Sequence, residues 1–166
     1  MVVTYLGKQF FKIQFGDTTI AVNPPSKDSK FKSGRFGADI VLITTNHKDY
    51  NGADTMGFGE KMPFVITGAG EYEIKDIFIK GINSESQVGK EKLMNTIYVF
   101  SVDKIKICFL GALATSLKAE AREAIDEIDI DFVPIGGEGT LSGAEAYTVA
   151  SSIEHKVIIP IDFDER

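Results

Sequence analysis

The order of short apolar runs limits what this chain can fold into more than any other feature of its sequence. These runs are rich in β-branched and aromatic residues and are bounded by Gly, Asn, Asp or Pro, a pattern typical of strands. They predict strands near 2–6, 10–15, 18–22, 40–44, 63–67, 77–82, 96–102, 105–110, 131–135 and 156–161. Two-residue connections at Gly16–Asp17 and Asp103–Lys104 predict tight hairpins. The first half of the chain is therefore expected to be mainly antiparallel.

Helical patterns occur only late in the chain. A helix is predicted over 117–128 after Ser116 as N-cap, and another over 143–153 after Ser142, where Glu145 completes a capping box. The order from about 105 onward is strand, helix, strand, helix, strand. The runs DFVPI and KVIIPI are apolar without alternation, as in strands covered on both faces. No linker or repeat divides residues 1–166, so we predict a single domain.

Charge and hydropathy exclude several classes of protein. The net charge of -6 argues against a nucleic-acid binder, which needs a basic surface for phosphate contacts. One local exception is the segment 27–36, KDSKFKSGRF, which could follow a single strand by charge and stacking. A solvated loop anchored by Phe31 and Phe36 is the favoured interpretation. The chain has no run of roughly twenty apolar residues and no signal-peptide pattern at its start, so we expect a cytoplasmic protein without a membrane span.

The cysteine and one of the two histidines are expected to be structural. Cys108 lies in the strand-like run 105–110, and no nearby basic group would lower the pKa of its thiol, so we expect a buried core residue. His155 begins the last predicted strand and lies roughly 20 Å from its carboxyl end, at about 3.3 Å per residue. We expect a surface histidine there.

Polar residues follow several of the predicted strands, in the segments 44–50, 111–112 and 136–140 and at Asp162. In units of alternating strand and helix, ligands bind at the carboxyl ends of the strands. The segments TYLGKQFFKIQFGDTTIAVNPP, ADIVLIT, GEYEI, NTIYVFSVDKIKICFLG, VPIGG and VIIPI lie around these positions in this order.

On these segments the sequence resembles the metallo-β-lactamase superfamily, specifically its small, bacterial, lactonase-like branch of zinc-dependent hydrolases. The resemblance covers nearly the whole chain. It implies an α/β fold, an αββα sandwich of two mixed β-sheets with outer helices, here in a small version with few helices.

The resemblance also implies positions for a dinuclear metal site. The family builds it from an H-x-H-x-D-H loop, a later histidine, an aspartate after a strand that ends in Leu-Gly, and a histidine after the last strand. Here the loop corresponds to residues 45–50, where only His47 and Asp49 match. The segment 81–95 contains no histidine, the bridging aspartate corresponds to Ala112, and the last histidine corresponds to Asp162.

Catalytic zinc needs about three protein ligands, mostly imidazole or thiolate. The remaining candidates for metal ligands are His47, Asp49 and Asp162, with Glu71 or Asp164 as further donors. One imidazole with carboxylates suits harder cations. Structural roles are also open, because Asp49 could cap a turn, His47 could bond to backbone, and Asp162 could be solvated near the terminus.

We therefore expect a degenerate member of the fold that lacks a complete dinuclear zinc site, binds no metal cofactor, and serves as a non-hydrolytic binding or assembly module. The alternative is a metal-dependent hydrolase of a lactone or phosphoester with an altered mononuclear site for Mn, Fe, Mg or Zn. The chain stops soon after the last predicted strand, which would leave a sheet edge open. Open edges pair with other chains, so we predict a homo-oligomer or a protein partner.

Overall fold

The computed structural model describes residues 1–163 and consists of two β-sheets packed face to face. Across the first sheet lie, in order, β1 (Val2–Tyr5), β2 (Phe11–Phe15), β3 (Thr18–Val22), β4 (Ile40–Leu42) and β5 (Phe64–Ile66). The second sheet contains β6 (Gly70–Ile74), β7 (Ile77–Ser86), β8 (Leu93–Val102), β9 (Ile105–Phe109), β10 (Ile128–Pro134) and β11 (His155–Ile161). These strands are also neighbours in chain order, with β6 and β11 at the edges. The helices are α1 (Ala119–Ala124) and α2 (Gly143–Ser151). The predicted sandwich of two mixed sheets with few helices is confirmed.

Strand directions agree only in part with the prediction for the first half. The pairs β1–β2 and β2–β3 are antiparallel, but β3–β4 and β4–β5 are parallel. Both predicted hairpins form. Gly16 adopts a φ of 57°, and Asp103 and Lys104 adopt φ of 53° and 63°, which is the left-handed backbone that two-residue hairpin turns require.

The main core fills the space between the two sheets. Phe11 of the first sheet meets Phe109 and Phe132 of the second, with ring centroids 5.8 and 4.8 Å away. Tyr98 on β8 is fully buried there, and its hydroxyl donates to the carbonyl oxygen of Ile43 at 2.7 Å. This bond ties the second sheet to the chain just beyond β4, where the predicted metal loop begins.

Both helices pack on the outer face of the second sheet, where Leu117, Ala121 and Val149 belong to one buried cluster. The capping box of α2 is confirmed, since the hydroxyl of Ser142 accepts from the backbone N–H of Glu145 at 3.3 Å and the carboxylate of Glu145 accepts from the backbone N–H of Ser142 at 2.8 Å. Helix α1 is shorter than predicted. It begins after Lys118 rather than Ser116, with no side-chain cap, and the chain turns extended at Ile125.

The outer face of the first sheet is covered by loop residues. Phe10, Val41 and Met56 form a buried cluster against which Phe36 packs, and Phe36 stacks on Phe10 at 5.7 Å between centroids. The anchoring role predicted for Phe36 is therefore confirmed, whereas Phe31 is 48% exposed. This loop places its basic residues beside the candidate site.

Strand β11 lies at the edge of the second sheet. Its Val157 and Ile158 are 50% and 43% exposed, so the predicted cover on both faces is wrong for β11. It holds for Phe132 and Val133 of β10, which are buried, because α2 packs over β10. His155 at the start of β11 is half-buried, with Nδ1 2.8 Å from the carbonyl oxygen of Ile153, far from the loops described below.

A carboxyl group is buried on the helix side of the second sheet. Asp131 on β10 is fully buried, and neither of its oxygens has a hydrogen-bond partner. Its neighbour across β9 is Cys108, which is also fully buried, as predicted. Burial raises the pKa of Asp131 to about 6 and that of the Cys108 thiol well above its usual value. Among residues 1–163, no helix is both long and apolar enough to cross a bilayer.

Candidate functional site

The candidate site forms where the β1–β2 turn meets the residue after β11. Lys8 in the turn and Asp162 after the strand both adopt left-handed backbone, with φ of 53° and 57°. The carbonyl oxygen of Lys8 accepts from the backbone N–H of Asp162 at 2.9 Å. Left-handed backbone is strained for residues with a Cβ and concentrates at functional sites. The two side chains are thereby held on the same side of the sandwich.

Lys8 lies between two carboxylates. Its ammonium nitrogen is 3.4 Å from Oδ1 of Asp162 and 3.9 Å from Oδ2 of Asp49. The side chains of Lys8, Asp49 and Asp162 are only 24%, 13% and 9% exposed, so water screens these charges poorly. The rings of Phe31 and Tyr50 flank the ammonium, with centroids 4.7 and 5.6 Å away. The cluster is thus one buried cation held by two anions and two aromatic faces.

The second oxygen of Asp162 is bound by neutral donors. The hydroxyl of Tyr50 donates to Oδ2 at 2.9 Å, and the side-chain amide of Gln9 donates to the same oxygen at 3.0 Å. Burial, followed by the negative charge of Asp162, raises the pKa of Tyr50 far above its usual value. Tyr50 therefore stays a hydrogen-bond donor. Asp162 is not the solvated terminal residue that one alternative supposed.

Asp49 is held by a neighbouring loop. Its Oδ1 accepts from the hydroxyl of Ser29 at 2.7 Å, while Oδ2 lies 3.8 Å from Nδ1 of His47. The same Nδ1 accepts the backbone N–H of Asp49 at 3.3 Å, so His47 is bonded to backbone, as one alternative proposed. Asp49 Oδ2 has no short hydrogen bond to another side chain among the described residues, which leaves it open to a ligand.

A buried amide network supports the cluster from below. The side chain of Asn23 donates to Gln9 at 2.9 Å and to the hydroxyl of Thr44 at 2.8 Å, and it accepts the backbone N–H of Thr44. Gln9 also donates to the carbonyl oxygen of Gly111. Asn23 and Gln9 are fully buried, so these bonds fix the position of Asp162 rather than compete with water.

A second buried amide occupies the other half of the predicted metal site. The side-chain oxygen of Asn95 accepts from the hydroxyl of Thr45 at 2.9 Å and from the backbone N–H of Ala112 at 3.0 Å. Ala112 packs against the ring of Tyr50 in a small buried cluster. The positions that the resemblance aligned with metal ligands therefore do converge in space. Their side chains are a hydroxyl, an amide, a methyl group and a phenol rather than imidazoles and carboxylates.

A cavity of about 120 Å³ opens beside the cluster. Its lining includes Lys8 and Asp49 together with Phe31 and Lys32 of the basic loop. An adjoining cavity of about 210 Å³ shares Lys32 and adds Arg35. A small ligand at this position would meet the ammonium of Lys8 and the free oxygen of Asp49 with further positive charge around it.

The predicted candidates are only partly brought together. Asp49 and Asp162 share Lys8, and His47 lies beside Asp49 but has no recorded contact with Asp162. Glu71 lies exposed on the edge strand β6, opposite Lys80 of β7, and Asp164 lies outside the described residues. The side chains that sequence reasoning missed are Lys8, Gln9, Asn23 and Asn95.

Comparison with known proteins decides the family. The sequence profile described as "Beta-lactamase superfamily domain" matches residues 2–162. The chain belongs to the metallo-β-lactamase superfamily. Among solved structures, a zinc-dependent hydrolase of this superfamily from Thermotoga maritima superposes with a TM-score of 0.79 at 29% identity, over 99% of this chain and 76% of that one.

Two relatives carry names that state an activity. A metal-dependent hydrolase from Lysinibacillus sphaericus is 24% identical, with 99% of this chain and 86% of the relative aligned. A metal-dependent hydrolase from Ligilactobacillus salivarius is 26% identical over 99% of this chain and 85% of the relative. The expectation of a degenerate, non-hydrolytic binding or assembly module is contradicted by these names and by that of the T. maritima protein. That expectation equated the loss of zinc ligands with the loss of catalysis, although a carboxylate and an ammonium still face one cavity.

The names of these relatives imply a divalent metal ion. Over residues 1–163, however, no three His, Cys, Asp or Glu side chains are close enough together to hold one. The ammonium of Lys8 lies between the two carboxylates, and neutral donors bind the second oxygen of Asp162. The residues in this arrangement do not fit a resident metal ion.

Proposed function

We propose that this protein is a hydrolase of small, negatively charged esters, with a phosphoester favoured over a lactone. The names of its relatives support hydrolysis. The observation that carries the proposal is that Lys8 and Asp49 line the same cavity at the strand ends. A carboxylate that can accept a proton and a cation that can face developing negative charge are the pair that ester hydrolysis needs.

Each group has a defined role in the proposed reaction. Oδ2 of Asp49 takes a proton from a water molecule, and the oxygen of that water forms a bond to the phosphorus or the carbonyl carbon. The ammonium of Lys8 stabilises the negative charge that develops on the substrate oxygen. The bond to the leaving oxygen then breaks, and that oxygen takes the proton back from Asp49. His47 and Ser29 are positioning residues, since they hold the carboxylate of Asp49 in place.

The preference for an anionic substrate follows from the surrounding charge. Lys32 lines both cavities, and Arg35 lines the second. The ammonium of Lys32 donates to the backbone oxygens of Lys27 and Ser29 at 3.3 and 3.1 Å, which fixes this charge at the entrance. A phosphoester would be attracted by these groups, whereas a neutral lactone would gain little from them.

The test compares two aspartate variants. We expect the wild type to hydrolyse 4-nitrophenyl phosphate or its diester faster than a γ-lactone, and Asp49→Asn to lower kcat/KM by about 100-fold or more. Asp54→Asn is the matched control, since Asp54 is exposed and pairs only with Lys27 among the described residues. It should retain wild-type turnover. Wild-type rates no higher than those of Asp49→Asn on all three substrates would refute the proposal.

A further inference from the structure

The site contains a cation of its own. The Lys8 ammonium contacts one oxygen of each carboxylate, and the other oxygens are bound by Ser29, Tyr50 and Gln9. Both anions are therefore already neutralised in part and hydrogen-bonded. A divalent ion would have to displace an amine that is attached to the site and cannot diffuse away.

The backbone of Lys8 fixes this cation in position. Its turn is closed by a hydrogen bond from the backbone N–H of Phe10 to the carbonyl oxygen of Gly7 at 2.8 Å, and its own carbonyl oxygen is bonded to the N–H of Asp162. The aromatic faces of Phe31 and Tyr50 contribute cation–π attraction. These contacts involve three separate parts of the chain, so the position of the ammonium follows from the fold.

We infer that Lys8 is the resident cation of this site and keeps divalent metal ions from binding at Asp49 and Asp162. Removing its charge would leave two poorly hydrated carboxylates beside the imidazole of His47. Such a set of uncompensated anions would gain affinity for a divalent ion, because a buried charge without a partner is costly. The inference shares its site with the proposed hydrolysis, but metal binding is measured without substrate, so either idea can fail while the other stands.

The test measures zinc binding by calorimetry on four proteins. We expect Lys8→Met to bind Zn²⁺ about tenfold or more tightly than the wild type, as a charged contact of about 1.5 to 3 kcal/mol would give. Lys8→Arg keeps the charge and should match the wild type. Lys12→Met is the matched control, because Lys12 also lies over a ring, 4.8 Å from Phe36, but has no recorded carboxylate contact. Equal affinity in all four proteins would overturn the inference.

A second measurement does not depend on the stability of any variant. Elemental analysis of wild-type protein purified without chelator should find far less than one zinc, manganese or iron atom per chain. A content near one atom per chain that survives dialysis would overturn the inference, even if Lys8→Met fails to fold. A low content together with tighter zinc binding by Lys8→Met would support it.

Discussion

Replacing Asp131 by asparagine should change how the stability of this protein depends on pH. Burial raises the pKa of Asp131 from 3.8 to about 6, so the folded state binds this proton more tightly than the unfolded state does. The proton's contribution to stability is fully present below pH 3.8 and is lost as the pH rises through about 6. A shift of about two units corresponds to about 3 kcal/mol at 1.36 kcal/mol per unit.

Urea unfolding at several pH values measures this difference. Far-UV circular dichroism or tyrosine fluorescence can follow it, because the chain has no tryptophan. Between pH 3.5 and 7.5 the free energy of unfolding of the wild type should fall by about 3 kcal/mol relative to that of Asp131→Asn. The variant cancels other titrations that both proteins share, including any at His155. Parallel profiles for the two proteins would show that Asp131 does not ionise inside the fold, or that water reaches it.

Three further outcomes follow from the structure. Asp39 should have the opposite effect in acid: hydrogen bonds from Lys61 and the backbone outweigh burial and lower its pKa to about 2, so the stability it contributes is lost as the pH falls from 3.8 through 2, and Asp39→Asn should flatten the acid branch of the urea profile. Ser142→Ala should cost about 1 kcal/mol in thermal unfolding, because it removes the cap of α2, and an unchanged midpoint would contradict the capping role. The predicted homo-oligomer remains a proposal. The exposed edge of β11 is its most exposed apolar strand, so Val157→Lys should lower the mass found by light scattering, and a monomeric wild type would contradict the idea.

The strand pattern was predictable because most strands have an apolar side that faces a core. The less predictable parts are polar. Strand β7 extends to Ser86, and β8 begins at Leu93, beyond the predicted limits of 82 and 96. The added residues include Asn95, which is fully buried and hydrogen-bonded. Hydrophobic periodicity cannot identify such a residue, because its burial depends on hydrogen-bond partners that are distant in sequence.

The candidate site was predictable in its positions but not in its chemistry. The resemblance led to Asp49 and Asp162, which do share one cluster. Nothing in the local sequence around Lys8 indicated that its ammonium would join them, because the contact spans nearly the whole chain. One signal was available: two carboxylates expected in one buried place need a positive partner, and His47 alone is a weak one near neutral pH.

The position of Asn95 restricts how this site could return to a metal-binding form. Its amide oxygen serves Thr45 and the N–H of Ala112, and its amide nitrogen serves Ser84 and the carbonyl oxygen of Leu110. A histidine introduced at position 45 alone would leave the oxygen of Asn95 without one donor, and an aspartate introduced at position 112 alone would put a charge against the ring of Tyr50. Each single step lowers stability before any ion can bind. The ancestral ligand set is therefore separated from this sequence by several changes that are favourable only in combination.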